Sequence, residues 1–215
     1  MTDAELLEIA QQSRRRAAGR IPPETQLLFR SLDALTDVEE KYIQTAFGQT
    51  HIYLVRPRTE GVLPVLINVH GGGWCLDHTE RDIYFCRRMA HRLHCLVVDV
   101  DYVLAPEHPY PAALEEMEAL FSRLPELMPA WGGDPARVVC CGQSAGGNLV
   151  GAVLQRRRFD PKLRILSQVL CYLPTDNYND HFHGQELDER GMSPQYYEFF
   201  YNRCFDERRN ADVSL

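Results

Sequence analysis

No apolar run in this chain approaches the ~20 residues needed to cross a bilayer, so nothing in it reads as a transmembrane helix. Its start, Met1 to Glu8, is acidic and amphipathic and lacks the basic stretch and apolar core of a secretory leader. A basic excess is also lacking. With 23 Lys and Arg against 30 Asp and Glu, the net charge is −7, which argues against a general nucleic-acid binder, since that needs a basic face. The seven cysteines, at 75, 86, 95, 140, 141, 171 and 204, are odd in number and lie mostly in apolar stretches. They fit small buried thiols in a reducing compartment better than a disulfide framework. These observations give the expectation of a cytoplasmic protein without membrane insertion. No internal repeat or low-complexity tract is visible. A chain of 215 residues, 45% hydrophobic and 25% charged, can hold one domain with a full core.

Hydrophobic periodicity predicts a helix over 3–18, with Leu6, Leu7, Ile9 and Ala10 on one side, and a second after Ile21-Pro22-Pro23 to about Leu35. Lys41–Phe47 and His51–Pro57 alternate like a hairpin. Beyond Leu63 the pattern changes to short apolar runs (65–69, 95–100, 137–141 and 165–173) separated by helical stretches (82–93, 111–127 and 148–158). Nearly continuous apolar runs imply strands buried on both faces, and their alternation with helices implies right-handed crossovers in a mostly parallel sheet. After Pro174 the chain turns polar and aromatic, as surface or lid helices would.

Two motifs carry the chemistry. Gly142-Gln143-Ser144-Ala145-Gly146 follows a strand and precedes a helix, the G-x-S-x-G pattern of a nucleophile elbow. Such a turn strains the serine backbone and lifts its hydroxyl above the sheet edge, and side chains at 142 or 146 would collide. His70-Gly71-Gly72-Gly73-Trp74 closes the strand 65–69, and its glycines leave backbone N–H groups free to face a developing oxyanion. The motifs stand roughly 70 residues apart, room for two crossovers of ~30 residues each. Both therefore fall at carboxyl ends of strands, where open α/β sheets place their sites.

These motifs, with Asp101-Tyr102-Val103-Leu104-Ala105-Pro106-Glu107-His108-Pro109-Tyr110-Pro111 between them, resemble the hormone-sensitive lipase family of carboxylesterases. The resemblance implies an α/β-hydrolase fold with helices on both faces of a mostly parallel sheet and a helical cap. Residues 1–40 would supply the cap's N-terminal segment and 41–215 an incomplete core, with 175–210 associated with the cap or lid. It further implies Ser144 as nucleophile, an oxyanion hole from Gly72, Gly73 and Ala145, and supporting roles for His70, Gly71, Gly142 and Gly146. His70 is then a brace for the loop, not the general base, and the Glu107-His108-Pro109 stretch a turn. The chain departs from the family's usual residues at Gln143, in place of Asp, and Val103, in place of Arg.

A serine nucleophile needs a base and an acid to orient it, in the order Ser, Asp or Glu, His for this fold. The chain stops at Leu215, where two further strands and their loops are expected, so the catalytic acid and histidine are not found at family positions. His181 and His183, beside Asp176 and Asp180, are the histidines after Ser144 and the candidates for the base that this sequence offers. Three functions stay open: a serine esterase of small short-acyl esters, a catalytically inactive ligand-binding module, and a sugar deacetylase or arylamidase-like hydrolase. No spacing implies a metal or organic cofactor, and the expected partner is a small ester. A truncated sheet would expose an unpaired edge strand, which favours self-association into a homo-oligomer. Arg14-Arg15-Arg16 and Arg156-Arg157-Arg158 read as solvated helix ends, His91 and His94 as surface residues, and Cys140-Cys141 as small core residues.

Overall fold

The computed structural model describes residues 2–18, 21–157, 161 and 163–175. Helices α1 (Asp3–Ala17) and α2 (Pro23–Arg30) come first, followed by strands β1 (Thr36–Gln44), β2 (Gln49–Pro57) and β3 (Leu63–Val69). Then α3 (Glu80–Leu93), β4 (Leu96–Asp101), α4 (Ala112–Leu127), β5 (Gly133–Gln143), α5 (Ala145–Arg157) and β6 (Ile165–Cys171) alternate. The six strands form one sheet in the order β1-β2-β4-β3-β5-β6. The hairpin β1-β2 pairs antiparallel and β2 joins β4 antiparallel, while β4, β3, β5 and β6 run parallel.

Strand alternation divides the core into two layers. Ile67 and Val98, paired in register, face one side with Leu114, Phe121, Val150 and Val153 of α4 and α5. Their neighbours Leu66 and Val97 face the other side, against Cys86 and Ala90 of α3. A strand sandwiched in this way has no solvent face, which is why β3 and β4 read as nearly continuous apolar runs. Helix α1 joins the first layer through Leu6 and Ala10. Both α1 and α3 begin at capping boxes, Thr2 with Glu5 and Thr79 with Asp82, which satisfy amides the first turn would leave unpaired.

Two expectations about the N-terminal third need correction. The second helix ends at Arg30, short of the expected Leu35, and the first strand begins at Thr36, five residues before the expected Lys41. The hairpin turn correspondingly falls at 45–48, where the Thr45 hydroxyl caps the Phe47 and Gly48 amides. β1 is an edge strand with mostly exposed side chains, Thr-Asp-Val-Glu-Glu-Lys-Tyr-Ile-Gln, so it lacks a long apolar face to announce it.

Candidate active site

The parallel register between β3 and β5 pairs Val69 with Gly142 and so brings the two glycine-rich motifs side by side at the carboxyl ends of adjacent strands. A Cβ placed on Gly71 would lie 2.9 Å from the Gln143 carbonyl oxygen and 3.5 Å from Ser144 Cβ, so the loops are in van der Waals contact. Ser144 has φ 49°, the left-handed region that costs a non-glycine residue about 1–3 kcal/mol. Surrounding bonds hold it there: its amide donates to the Cys171 carbonyl at 2.9 Å, and its carbonyl accepts from the Asn148 amide at 3.0 Å as α5 begins. A Cβ on Gly142 would stand 2.5 Å from the Gly146 oxygen, and one on Gly146 2.2 Å from the Val69 oxygen. Both glycines expected as supports are therefore required by close backbone approach.

Beyond β3 the chain turns sharply at Gly72, whose φ of 129° is open to glycine alone. Its carbonyl accepts from the amides of Cys75 and Leu76 at 3.1 and 2.9 Å. Among the described residues, no hydrogen bond engages the backbone N–H groups of Gly72, Gly73 or Ala145. Ala145 opens α5, so its N–H is one of the four that a helix leaves without an internal partner. No histidine among the described residues hydrogen-bonds to the Ser144 hydroxyl.

His70 is fully buried beneath this turn. Its Nδ1 lies 2.7 Å from the Gly71 carbonyl and its ring stacks on Tyr102, whose hydroxyl donates to the His70 carbonyl at 3.1 Å. A ring nitrogen facing a carbonyl must carry the proton, which makes the other nitrogen, Nε2, the unprotonated one. Burial, then the neighbouring His78, holds the imidazole below its ordinary pKa. Neutral and enclosed, it braces the loop.

A buried polar network runs beside the site. The Asn68 side chain donates to Asp99 Oδ1 at 2.7 Å, His78 Nε2 contacts Asp99 Oδ2 at 2.7 Å, and the Gln143 amide donates to Asn68 Oδ1 at 3.3 Å. Gln143, the departure next to Ser144, is thus satisfied by an amide where a second carboxylate would face Asp99 through one side chain. Val103, the other departure, presents its backbone N–H to Glu116 Oε2 at 2.6 Å. Glu116 is buried, and burial raises its pKa to about 7, with the Val103 bond opposing the rise. A charged residue inside an apolar run, Asp99, was the available sign of such a network, because a buried carboxylate needs partners.

Several expected features fall elsewhere. Arg14 is not solvated: its guanidinium is mostly buried against Cys75, Ala105 and Glu107. It stands four residues beyond Ala10 and eight beyond Leu6, continuing the buried stripe of α1, and that spacing was its signal. Arg156 pairs with Glu118 at 3.4 Å and Arg157 donates to Ser122 at 2.7 Å, tying α5 to α4 instead of pointing into water. His94 caps α3 in a left-handed conformation and is exposed. Cys140 and Cys141 are buried in β5, and burial raises both thiols. Asp176, Asp180, His181 and His183, and the 175–210 lid segment beyond Thr175, lie outside the described residues. Among the described residues no group of three or more His, Cys, Asp or Glu is arranged to hold a metal ion, and no helix is long and apolar enough to cross a membrane.

With the two glycine-rich turns in contact over a strained serine, the comparison with known proteins is direct. A family described as the alpha/beta hydrolase fold matches residues 66–214. The chain belongs to this family, in its hormone-sensitive-lipase-like branch. It is 36% identical over 152 residues to arylacetamide deacetylase of Mus musculus, a match covering 67% of this chain and 38% of that protein. It is 39% identical over 113 residues to the carboxylesterase NlhH of Mycobacterium tuberculosis, covering 53% and 35%. Matches to these curated relatives thus span well under half of their length. Among solved structures, the carboxylesterase EstE1 from a metagenomic library superposes with a TM-score of 0.64 at 29% identity, over 82% of this chain and 56% of that one. An esterase of Pyrobaculum calidifontis superposes with a TM-score of 0.76 over 97% of this chain and 68% of its own, and at 24% identity it speaks to the fold alone. The α/β-hydrolase architecture expected from the motifs is the one found.

Proposed function

We propose that this chain carries the nucleophile and oxyanion hole of a serine carboxylesterase acting on small, short-acyl esters. The observation that carries the reading is the strained Ser144 in contact with a glycine turn, with the N–H groups of Gly72, Gly73 and Ala145 unengaged among the described residues. Ser144 Oγ attacks the acyl carbon as its proton passes to a general base, and the carbonyl oxygen becomes an oxyanion held by those three amides. Collapse expels the alcohol, which takes up the proton, and leaves an acyl-enzyme; water then attacks and releases the acid. One such donor is typically worth about 2.7–4 kcal/mol of barrier. The N-terminus of α5 adds a favourable field for the developing charge. The base and its orienting acid are sought beyond the described residues, where His181 and His183 are candidates within this chain.

The test is hydrolysis of p-nitrophenyl acetate and butyrate by the purified chain, with Ser144→Ala as control. Turnover lost in the variant supports the reading, and turnover retained there overturns it. The arylacetamide deacetylases among the relatives favour adding 4-nitroacetanilide, since amide cleavage would move the substrate class toward aryl acetamides. Because no described histidine bonds to Ser144, a non-catalytic ligand-binding role is the second reading. Tight binding of a small apolar ester without turnover, unchanged in Ser144→Ala, would favour it.

A further inference from the structure

Helix α1 reaches the site through one side chain. Arg14 Nε donates to the Cys75 carbonyl at 2.8 Å, and Nη2 donates to the Ala105 carbonyl at 3.0 Å. Nη1 and Nη2 together grip Glu107, at 2.6 and 2.8 Å, in a two-pronged bond. Asp77 stands 3.5 Å from Nε. The guanidinium, 14% exposed, therefore joins three pieces of chain distant in sequence: the N-terminal helix, the turn after Gly73 and the loop after Tyr102. Those two loops are also linked directly, since the Ala105 amide donates to the Trp74 carbonyl at 2.9 Å.

Cys75 closes the turn whose glycines precede it. Its amide and that of Leu76 both converge on the Gly72 carbonyl, while its own carbonyl is the acceptor for Arg14. The peptide planes of residues 72–76 are thus pinned from within by Gly72 and from outside by the guanidinium. A planar, permanently charged fork suits this task, because its donors hold fixed relative directions that a flexible ammonium cannot reproduce. Its position on α1 is in turn fixed by Ala10 and Leu6, buried in the main core one and two turns earlier.

We infer that Arg14 is a positioning residue for the oxyanion turn, holding Gly72 and Gly73 in register with Ser144 from the N-terminal helix. The inference rests on the esterase reading above for its catalytic consequence, but not for its structural one. It makes α1 a working part of the site, with Glu107 as the counter-ion that orients the fork.

Two readouts test it, one of which needs no turnover. Amide hydrogen exchange at Cys75 and Leu76, whose N–H groups close the 72–76 turn, should accelerate about tenfold or more in Arg14→Met, with β3 and α5 unchanged. Arg14→Lys should recover part of the protection, and Glu107→Gln should lose less than Arg14→Met. In the ester assay, Arg14→Met should lower kcat about tenfold with KM within about twofold, since a small misplacement of transition-state donors spares substrate binding. Unchanged exchange at Cys75 and Leu76 in Arg14→Met overturns the inference whether or not the chain hydrolyses esters. So does acceleration spread evenly over the whole sheet, which would mark Arg14 as a contributor to global stability alone. Failure of the esterase reading appears separately, as hydrolysis insensitive to Ser144→Ala.

Discussion

His78 Nε2 stands 2.7 Å from Asp99 Oδ2 in a setting where the imidazole is 4% exposed and the carboxylate not at all. Burial disfavours the imidazolium, yet the hydrogen bond and charge of Asp99 outweigh it and raise the His78 pKa above its ordinary 6.5. A raised histidine contributes stability that is fully present below the unfolded-state value and is lost as pH climbs through the folded one. Asp99→Asn should therefore lower Tm more at about pH 6 than at about pH 9. His78→Gln removes the charged partner of a buried carboxylate that the Asn68 side chain still holds, and should cost about 3–5 kcal/mol near neutral pH. Thermal unfolding of the three proteins across that pH range checks both.

Glu116 predicts a slope of the same sign in a more acidic window. Its pKa rises from 4.5 to about 7 on folding, so the folded chain binds more protons than the unfolded chain between those values. Stability contributed by the protonated form falls as pH rises through that window, by up to about 3 kcal/mol. Glu116→Gln keeps an acceptor for the Val103 amide and removes the titration. The variant should match the parent near pH 5 and exceed it in Tm near pH 8, as followed by circular dichroism. Equal pH slopes in the two proteins would count against a buried, uncompensated carboxyl.

Gly146→Ala should be among the most damaging single-methyl changes in the molecule. Its Cβ would meet the Val69 and His70 carbonyl oxygens at 2.2 and 2.4 Å, both backbone atoms that cannot swing aside. Separating β3 from the start of α5 by the needed distance should cost about 3 kcal/mol or more. Urea unfolding of Gly146→Ala against Gly147→Ala, the next residue of the same helix, whose added Cβ would come no nearer than 3.0 Å to its neighbours, reads the difference.

The sheet was legible wherever burial on both faces forced nearly continuous apolar runs, as in β3 and β4, and the elbow because glycines at 142 and 146 have a steric reason to be there. β1 was misplaced because an edge strand with an exposed face has little hydrophobic pattern to read. The elbow and the glycine turn could be paired from spacing, but not their contact, which depends on the Val69–Gly142 register. Arg14 was missed because a triple arginine suggests a solvated helix end, and the four-residue step from Ala10 was the subtler cue. The partners of Asp99 were beyond sequence reasoning: Asn68 meets it only through the β3–β4 register, and His78 reaches it from the loop before α3.

The central claim, that Ser144 is the nucleophile, is tested most directly by covalent trapping. The chain is incubated with a p-nitrophenyl alkylphosphonate, which forms a stable ester with an activated serine, and the adduct is located by peptide mass. The account predicts a single phosphonyl group on Ser144, slowed in Arg14→Met and lost in Ser144→Ala. An adduct on another residue, or none on Ser144, would contradict it.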